Sequence, residues 1–186
     1  MRRQAIGILG TALFGVALAI GCGSQPDSPT TPSSTTSAIR DDASFFRQIS
    51  QTDPFGRYTV LPNAEEFTTG RLDGSEAHRS IIRVSLNAAA MGSLQNGRLA
   101  PGAKFADGSI VLKELRSSAA SAVSLYVVMM KDRSNPLAGD GWLWAEYGPT
   151  GSVTFSVTNR GSACTSCHLR QQGPQNDLVR SFERQQ

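Results

Sequence analysis

Near the C-terminus, Cys164-Thr165-Ser166-Cys167-His168 sets two thiols three positions apart, with a histidine directly after the second. This spacing reads as the attachment site of a c-type haem. Two cysteines can add across the vinyl groups of one porphyrin, and the residue that follows sets an imidazole under the iron as its proximal ligand. The alternatives for such a pair are a disulfide or part of a zinc site. Zinc needs a fourth ligand, and the only other histidine is His78. An adjacent histidine favours haem c, and the rest of the chain must then wrap it or bring it to its compartment.

The first 21 residues serve delivery. Arg2 and Arg3 are followed by an apolar run, Ala5 to Ile20, of about 16 residues, short of the roughly 20 that a spanning helix needs. We read residues 1–21 as an export signal peptide. Ala19-Ile20-Gly21-Cys22 resembles the lipobox of bacterial lipoproteins, although its first position is usually Leu; an ordinary cleavage site beside a stray cysteine is the alternative. On the lipobox reading Cys22 is lipidated and tethers the protein to a membrane, and Gly23 is not the aspartate of inner-membrane retention. The three cysteines are then all used, one by lipid and two by haem. Residues 23–38 are Ser-, Thr- and Pro-rich without an aromatic, a composition that cannot bury enough surface to fold. The expected organisation is therefore 1–21 signal, 22–38 lipidated cysteine and linker, 39–186 haem domain, in an extracytoplasmic or periplasmic location.

The domain's composition is ordinary for a globular fold, at 39% apolar and 18% charged over 186 residues. Removing residues 1–21 takes two arginines from the 18 basic residues and nothing from the 15 acidic ones, leaving 16 against 15. A nearly neutral chain gives no case for nucleic-acid binding. Along it, Asp41 or Asp42 can cap a short helix to Ile49. Ile82, Val84 and Leu86 alternate with polar residues as a half-buried strand does. Asn87 caps a helix from Ala88 to Gln95, ended by Asn96-Gly97. Further strands are expected over Ile110–Leu115, Val123–Lys131, Trp142–Tyr147 and Val153–Val157, with a terminal helix over Asp177–Arg184. Five strands with turns between them and no long helical repeat predict an α+β domain, mainly an antiparallel sheet with short helices.

A sheet-rich chain with its haem motif last resembles the cytochrome P-460 and cytochrome c′-beta family. The pieces that carry the resemblance are Asp107-Gly108-Ser109 leading into Val111-Leu112-Lys113-Glu114-Leu115, then Tyr126 to Lys131, Gly141-Trp142, and Cys164 to His168 with Asp177 beyond. They cover roughly residues 55–184. The resemblance implies one haem packed on an antiparallel sheet, usually in a homodimer, with His168 proximal and the distal iron face open to small molecules. One branch of the family joins a lysine to the porphyrin and oxidises hydroxylamine; the other lacks that lysine, lines the distal side with phenylalanine and binds nitric oxide. The expected lysine position falls at Leu99 or Ala100, with Lys104 in the same loop. The expected carboxylate position falls at Leu143, and Glu146 lies on the other side of that strand. Phe105 matches a distal phenylalanine, with plain core packing as its alternative.

Further candidates are weighed on residue type. His78, Met91, Met129 and Met130 are the available second axial ligands. Methionine in an apolar strand is more often packing, and His78 between charged neighbours reads as a surface residue. Trp142 and Trp144 share one strand face and read as core or dimer contacts. Arg170 or Arg180 could pair a haem propionate, while Lys113 and Glu114 read as plain strand residues. The expected function is thus an extracytoplasmic monohaem c-type cytochrome that binds a diatomic ligand, nitric oxide foremost, beneath Phe105 and Leu143. An electron carrier with a redox partner protein, or a hydroxylamine-oxidising enzyme, are the alternatives.

Overall fold

The computed structural model describes residues 39–70, 78, 81–170 and 173–184. The signal peptide, Cys22 and the linker lie outside the described residues. Among the described residues seven strands form one antiparallel sheet: β1 Thr59–Val60, β2 Thr68–Thr69, β3 Ile81–Leu86, β4 Ile110–Arg116, β5 Leu125–Lys131, β6 Trp142–Tyr147 and β7 Val153–Phe155. Their order is β1-β3-β4-β5-β6-β7, with β2 also paired to β3. The expected strands are present, and the α+β architecture is as predicted.

The helices are short. Helix α1, Asp42–Arg47, starts at a capping box in which the Asp41 carboxylate accepts from the Ser44 amide while the Ser44 hydroxyl oxygen accepts from the Asp41 amide. It passes into a π turn over Gln48–Thr52. Helix α2, Ala88–Gly92, begins at Asn87 as expected. Asn87 is buried because its amide is fully used: its oxygen accepts from Ala90 and Ile110, and its nitrogen donates to Asp53 and to the Gly108 carbonyl. One side chain thereby ties β3, α2 and β4 together. Helix α3, Thr165–His168, carries the haem motif, and the chain closes with 3-10 turns at Pro174–Asn176 and Arg180–Arg184.

Strand register assigns the side chains to two faces. On one face Ser85, Leu112, Val128 and Ala145 align in a row, beside Ile110, Met130 and Leu143. These residues pack with Phe45, Ile49 and Tyr58 beneath α1 and the π turn. The other face aligns Leu86, Val111, Met129 and Trp144, covered by Leu61, Ala90, Leu99, Phe105 and the tail residues Leu178, Val179 and Phe182. Both faces of β6 are therefore buried, which explains its almost continuous apolar run.

The tail is pinned by a buried ion pair. Lys131 Nζ lies 2.9 Å from Asp177, with only 3% and 4% of the two side chains exposed. Asp177 also accepts from the Phe105 amide at 3.0 Å, its carbonyl accepts from Trp142 Nε1, and the Lys131 ammonium lies over the Trp142 ring. A buried charge without its partner typically costs about 3–5 kcal/mol, so this group sets where residues 173–182 must lie.

Candidate haem site

Gly161 starts the site. Its φ of 70° suits glycine, and a Cβ there would collide with the Trp144 indole. The chain can therefore turn tightly over β6. The Gly161 carbonyl accepts from the amides of Cys164 and Thr165, and the single turn of α3 brings Cys164 and Cys167 onto neighbouring positions. Both are free thiols, Cys164 half-buried and Cys167 exposed. Burial, and then the charge of Glu146, push the Cys164 thiol up to about 11.

His168 is held on two sides. Its ring meets Trp144 edge to face at 4.9 Å between centres. Its Nδ1 lies 2.7 Å from the Leu178 carbonyl oxygen. A carbonyl can only accept, so Nδ1 carries a proton, and in the neutral ring this leaves Nε2 as the lone-pair nitrogen, the tautomer a metal-binding histidine needs. Leu178 can offer its carbonyl because Asp177 and Leu178 turn the chain in consecutive left-handed conformations, φ 50° and 70°. Arg180, one of the two arginines considered for a propionate, instead donates to the Cys167 carbonyl at 3.3 Å; Arg170 is exposed.

Beside this motif the sheet offers one further row. Val84, Lys113, Val127, Glu146 and Phe155 align across β3 to β7 on the face that carries Trp144, and every one is only half-buried. In central strands, apolar side chains left half-covered mark a surface that a flat apolar group can close. Thiols one turn apart, a histidine in the ligand tautomer and this row together fit a haem. Among the described residues, no group of three His, Cys, Asp or Glu is gathered to hold a bare metal ion.

The expected distal residues need correction. Leu143 is fully buried on the opposite face, among Phe45, Ile49 and Met130, and cannot wall this site. Since Leu143 and Glu146 face opposite sides, it is Glu146 that faces the motif. Burial raises its carboxyl above the usual range, opposed by the positive charge of Lys113. Lys113, read as a plain strand residue, points into the same row. His78, read as a surface residue, is half-buried; its Nδ1 lies 2.9 Å from Lys113 Nζ and its ring centre 6.2 Å from that of His168. No local pattern announced these three. The available signal was parity along β6, which groups Glu146 with Trp142 and Trp144.

Phe105 lies in the same layer as Cys164 but is fully buried, edge-on to Trp142 and stacked on Phe182. Core packing accounts for its position. Leu99 fills the same cluster, and Lys104, about half exposed, reaches Asp177 at 3.4 Å. Met129 is on the site face between Val111 and Trp144, Met130 on the opposite one, and Met91 at the edge of the covering layer. Trp142 and Trp144 are core residues, and Trp144 is also a wall of the site.

Comparison with known proteins agrees with this geometry. No curated protein matches the chain. The family described as Cytochrome P460 matches residues 64–180, well over half of the chain and all of the sheet from β2 to the haem motif. The chain belongs to the cytochrome P460 family and is a c-type cytochrome with haem as its cofactor.

Proposed function

We propose that Cys164 and Cys167 carry a single covalent haem c with His168 as the proximal iron ligand, and that the protein binds a small diatomic ligand, nitric oxide foremost, on the opposite face. The carrying observation is the 2.7 Å contact that fixes the His168 tautomer beside a half-covered row of the sheet. When bound, haem supplies an iron that can take up a diatomic molecule or exchange an electron. The residues around it orient and shield. Trp144 and Leu178 fix the imidazole, Arg180 steadies the motif backbone, and Val84, Val127 and Phe155 offer apolar contact that excludes water. The sequence supports an extracytoplasmic protein tethered through a lipidated Cys22, and the family resemblance supports a homodimer.

The visible spectrum of the ferrous protein, before and after nitric oxide is added, tests this reading. A five-coordinate ferrous spectrum that changes on adding nitric oxide is expected. A six-coordinate low-spin spectrum indifferent to nitric oxide would replace ligand binding with electron carriage. One observation favours a second reading, hydroxylamine oxidation. Lys113 and Glu146 place on this face the two residue types missing from positions 99–100 and 143. The mass of the haem peptide decides it, because a lysine cross-link would join residues 113 and 164–168 in one fragment.

A further inference from the structure

Asp177 ties the tail to the sheet by three polar contacts. Its carboxylate pairs with Lys131 Nζ of β5 and accepts from the Phe105 amide, and its carbonyl accepts from Trp142 Nε1 of β6 at 2.9 Å. The next carbonyl, that of Leu178, lies 2.7 Å from His168 Nδ1. Consecutive carbonyls are thus divided between a tryptophan of β6 and the histidine of the haem motif. His168 itself rests on Trp144, two residues from Trp142 on the same face of β6, a separation of about 7 Å. Both ends of the 2.7 Å contact are therefore referred to one strand, His168 through Trp144 and Leu178 through Asp177 and Trp142.

Local bonds shape the turn but do not place it over β6. The Leu178 amide donates to the Gly173 carbonyl at 2.6 Å and the Val179 amide to that of Asn176 at 3.0 Å. Gly173 lies so close to the His168 carbonyl that a Cβ would collide with it. The position over the strand is set by Asp177, whose φ of 50° is one that aspartate adopts more readily than most residues. Resting on the haem placement proposed above, we infer that Asp177 and Lys131 are positioning residues for the proximal ligand: their pairing holds the Leu178 carbonyl on His168 Nδ1 and so keeps the imidazole a strong electron donor toward iron. A histidine that donates one ring N–H to a carbonyl becomes more basic at its other nitrogen. A more basic axial ligand favours ferric over ferrous iron, so the buried pair sets the reduction potential of the site as well as the stability of the tail.

The test uses the full-length holoprotein as wild type, Asp177→Ala, Asp177→Asn and Lys131→Met, with Leu143→Ala as a control destabilised on the opposite face. Two quantities are read: the ferric/ferrous midpoint potential and the iron–histidine stretching frequency of the ferrous form. One hydrogen bond corresponds to about a tenfold change in an equilibrium. Its loss in Asp177→Ala should therefore raise the potential by about 59 mV for one electron and lower the stretching frequency. Asp177→Asn, which keeps an acceptor for the Phe105 amide and tolerates the left-handed turn, should recover part of both. Lys131→Met should also shift both, but less than Asp177→Ala, because Lys104 lies 3.4 Å from Asp177 and still opposes its charge. Leu143→Ala should move neither. Wild-type values in the Asp177 and Lys131 variants, with haem still covalently bound, overturn the inference and leave the pair a packing feature. So does an equal shift in Leu143→Ala, because lost stability would then be the cause. If Asp177→Ala does not fold, Asp177→Asn and Lys131→Met decide by the same two readings. Failure of the haem placement is distinguishable: the wild type would carry no covalent haem, and the proposal would fall with it. Neither reading uses nitric oxide, so the outcome is independent of which ligand the iron takes.

Discussion

Strands β3 to β6 present two faces that differ in completeness. The face of Ile110, Leu112, Val128 and Leu143 is closed by α1 and the π turn, with its largest side chains fully buried and only packing to account for them. The other face is closed at one end by Phe105, Trp142 and the tail, and left half-covered at the other by the row from Val84 to Phe155. The first face is closed by protein side chains; the second keeps a half-buried row, and it is there that we propose the haem packs. Both faces carry charge: Arg83 and Glu114 pair directly across β3 and β4 on the first, while Lys113 and Glu146 stand two strands apart among valines on the second.

The comparison can be broken in order of expected effect. Replacing both Cys164 and Cys167 with Ala should abolish the haem signal that survives denaturing electrophoresis, and a persistent signal would remove the motif from the account. Asp177→Ala strands the Lys131 ammonium inside the protein, and a loss of about 3–5 kcal/mol in denaturant unfolding is expected; a value under about 1 kcal/mol would mean the pair does not pin the tail. Leu143→Ala should cost about 2–5 kcal/mol and leave the haem absorption bands in place. Val127→Ala, half-buried on the other face, should cost only about 1 kcal/mol yet shift those bands. The reverse pattern would exchange the roles assigned to the two faces. The smallest effect lies at the cap of α1. The Asp41 carboxyl is held below its usual 3.8 by the Ser44 amide, with the Ser44 side chain adding to it. A carboxyl whose folded pKa is depressed contributes stability above its unfolded pKa and loses it as pH falls through the folded one. Asp41→Ala should therefore lower the melting temperature slightly at neutral pH, with the deficit fading below pH 3.8; a deficit equal at both would exclude the cap.

Much of this was legible from residues alone. The strand through Ile82-Val84-Leu86, the Asn87 cap and the turn at Asp107-Gly108 each have a local cause and stand where expected, but Ser85 is fully buried where the alternation predicts a solvent-facing residue. The motif was legible because its chemistry is confined to five consecutive residues. The surroundings of the motif were not. The expectation at Leu143 comes from the resemblance, which sets a carboxylate just after the tryptophan, whereas strand parity groups Glu146 with Trp142 and Trp144 on the other face. Thr59–Val60 and Thr68–Thr69 are too short to show a period. His78 and Lys113 are 35 positions apart and meet only through the fold.

The left-handed turn at Asp177 and Leu178 has a further consequence. Such conformations cost of order 1 kcal/mol or more in a residue with a side chain, so this turn persists only while Lys131, the Phe105 amide and the core hold it together. Segments secured in that way detach as a unit rather than fray residue by residue. Detachment would withdraw the Leu178 carbonyl and release the His168 ring from its tautomer. Amide exchange at the tail and drift in the proximal environment of the iron would then be two records of a single opening event, which makes the colour of the protein a gauge of whether its C-terminus is docked.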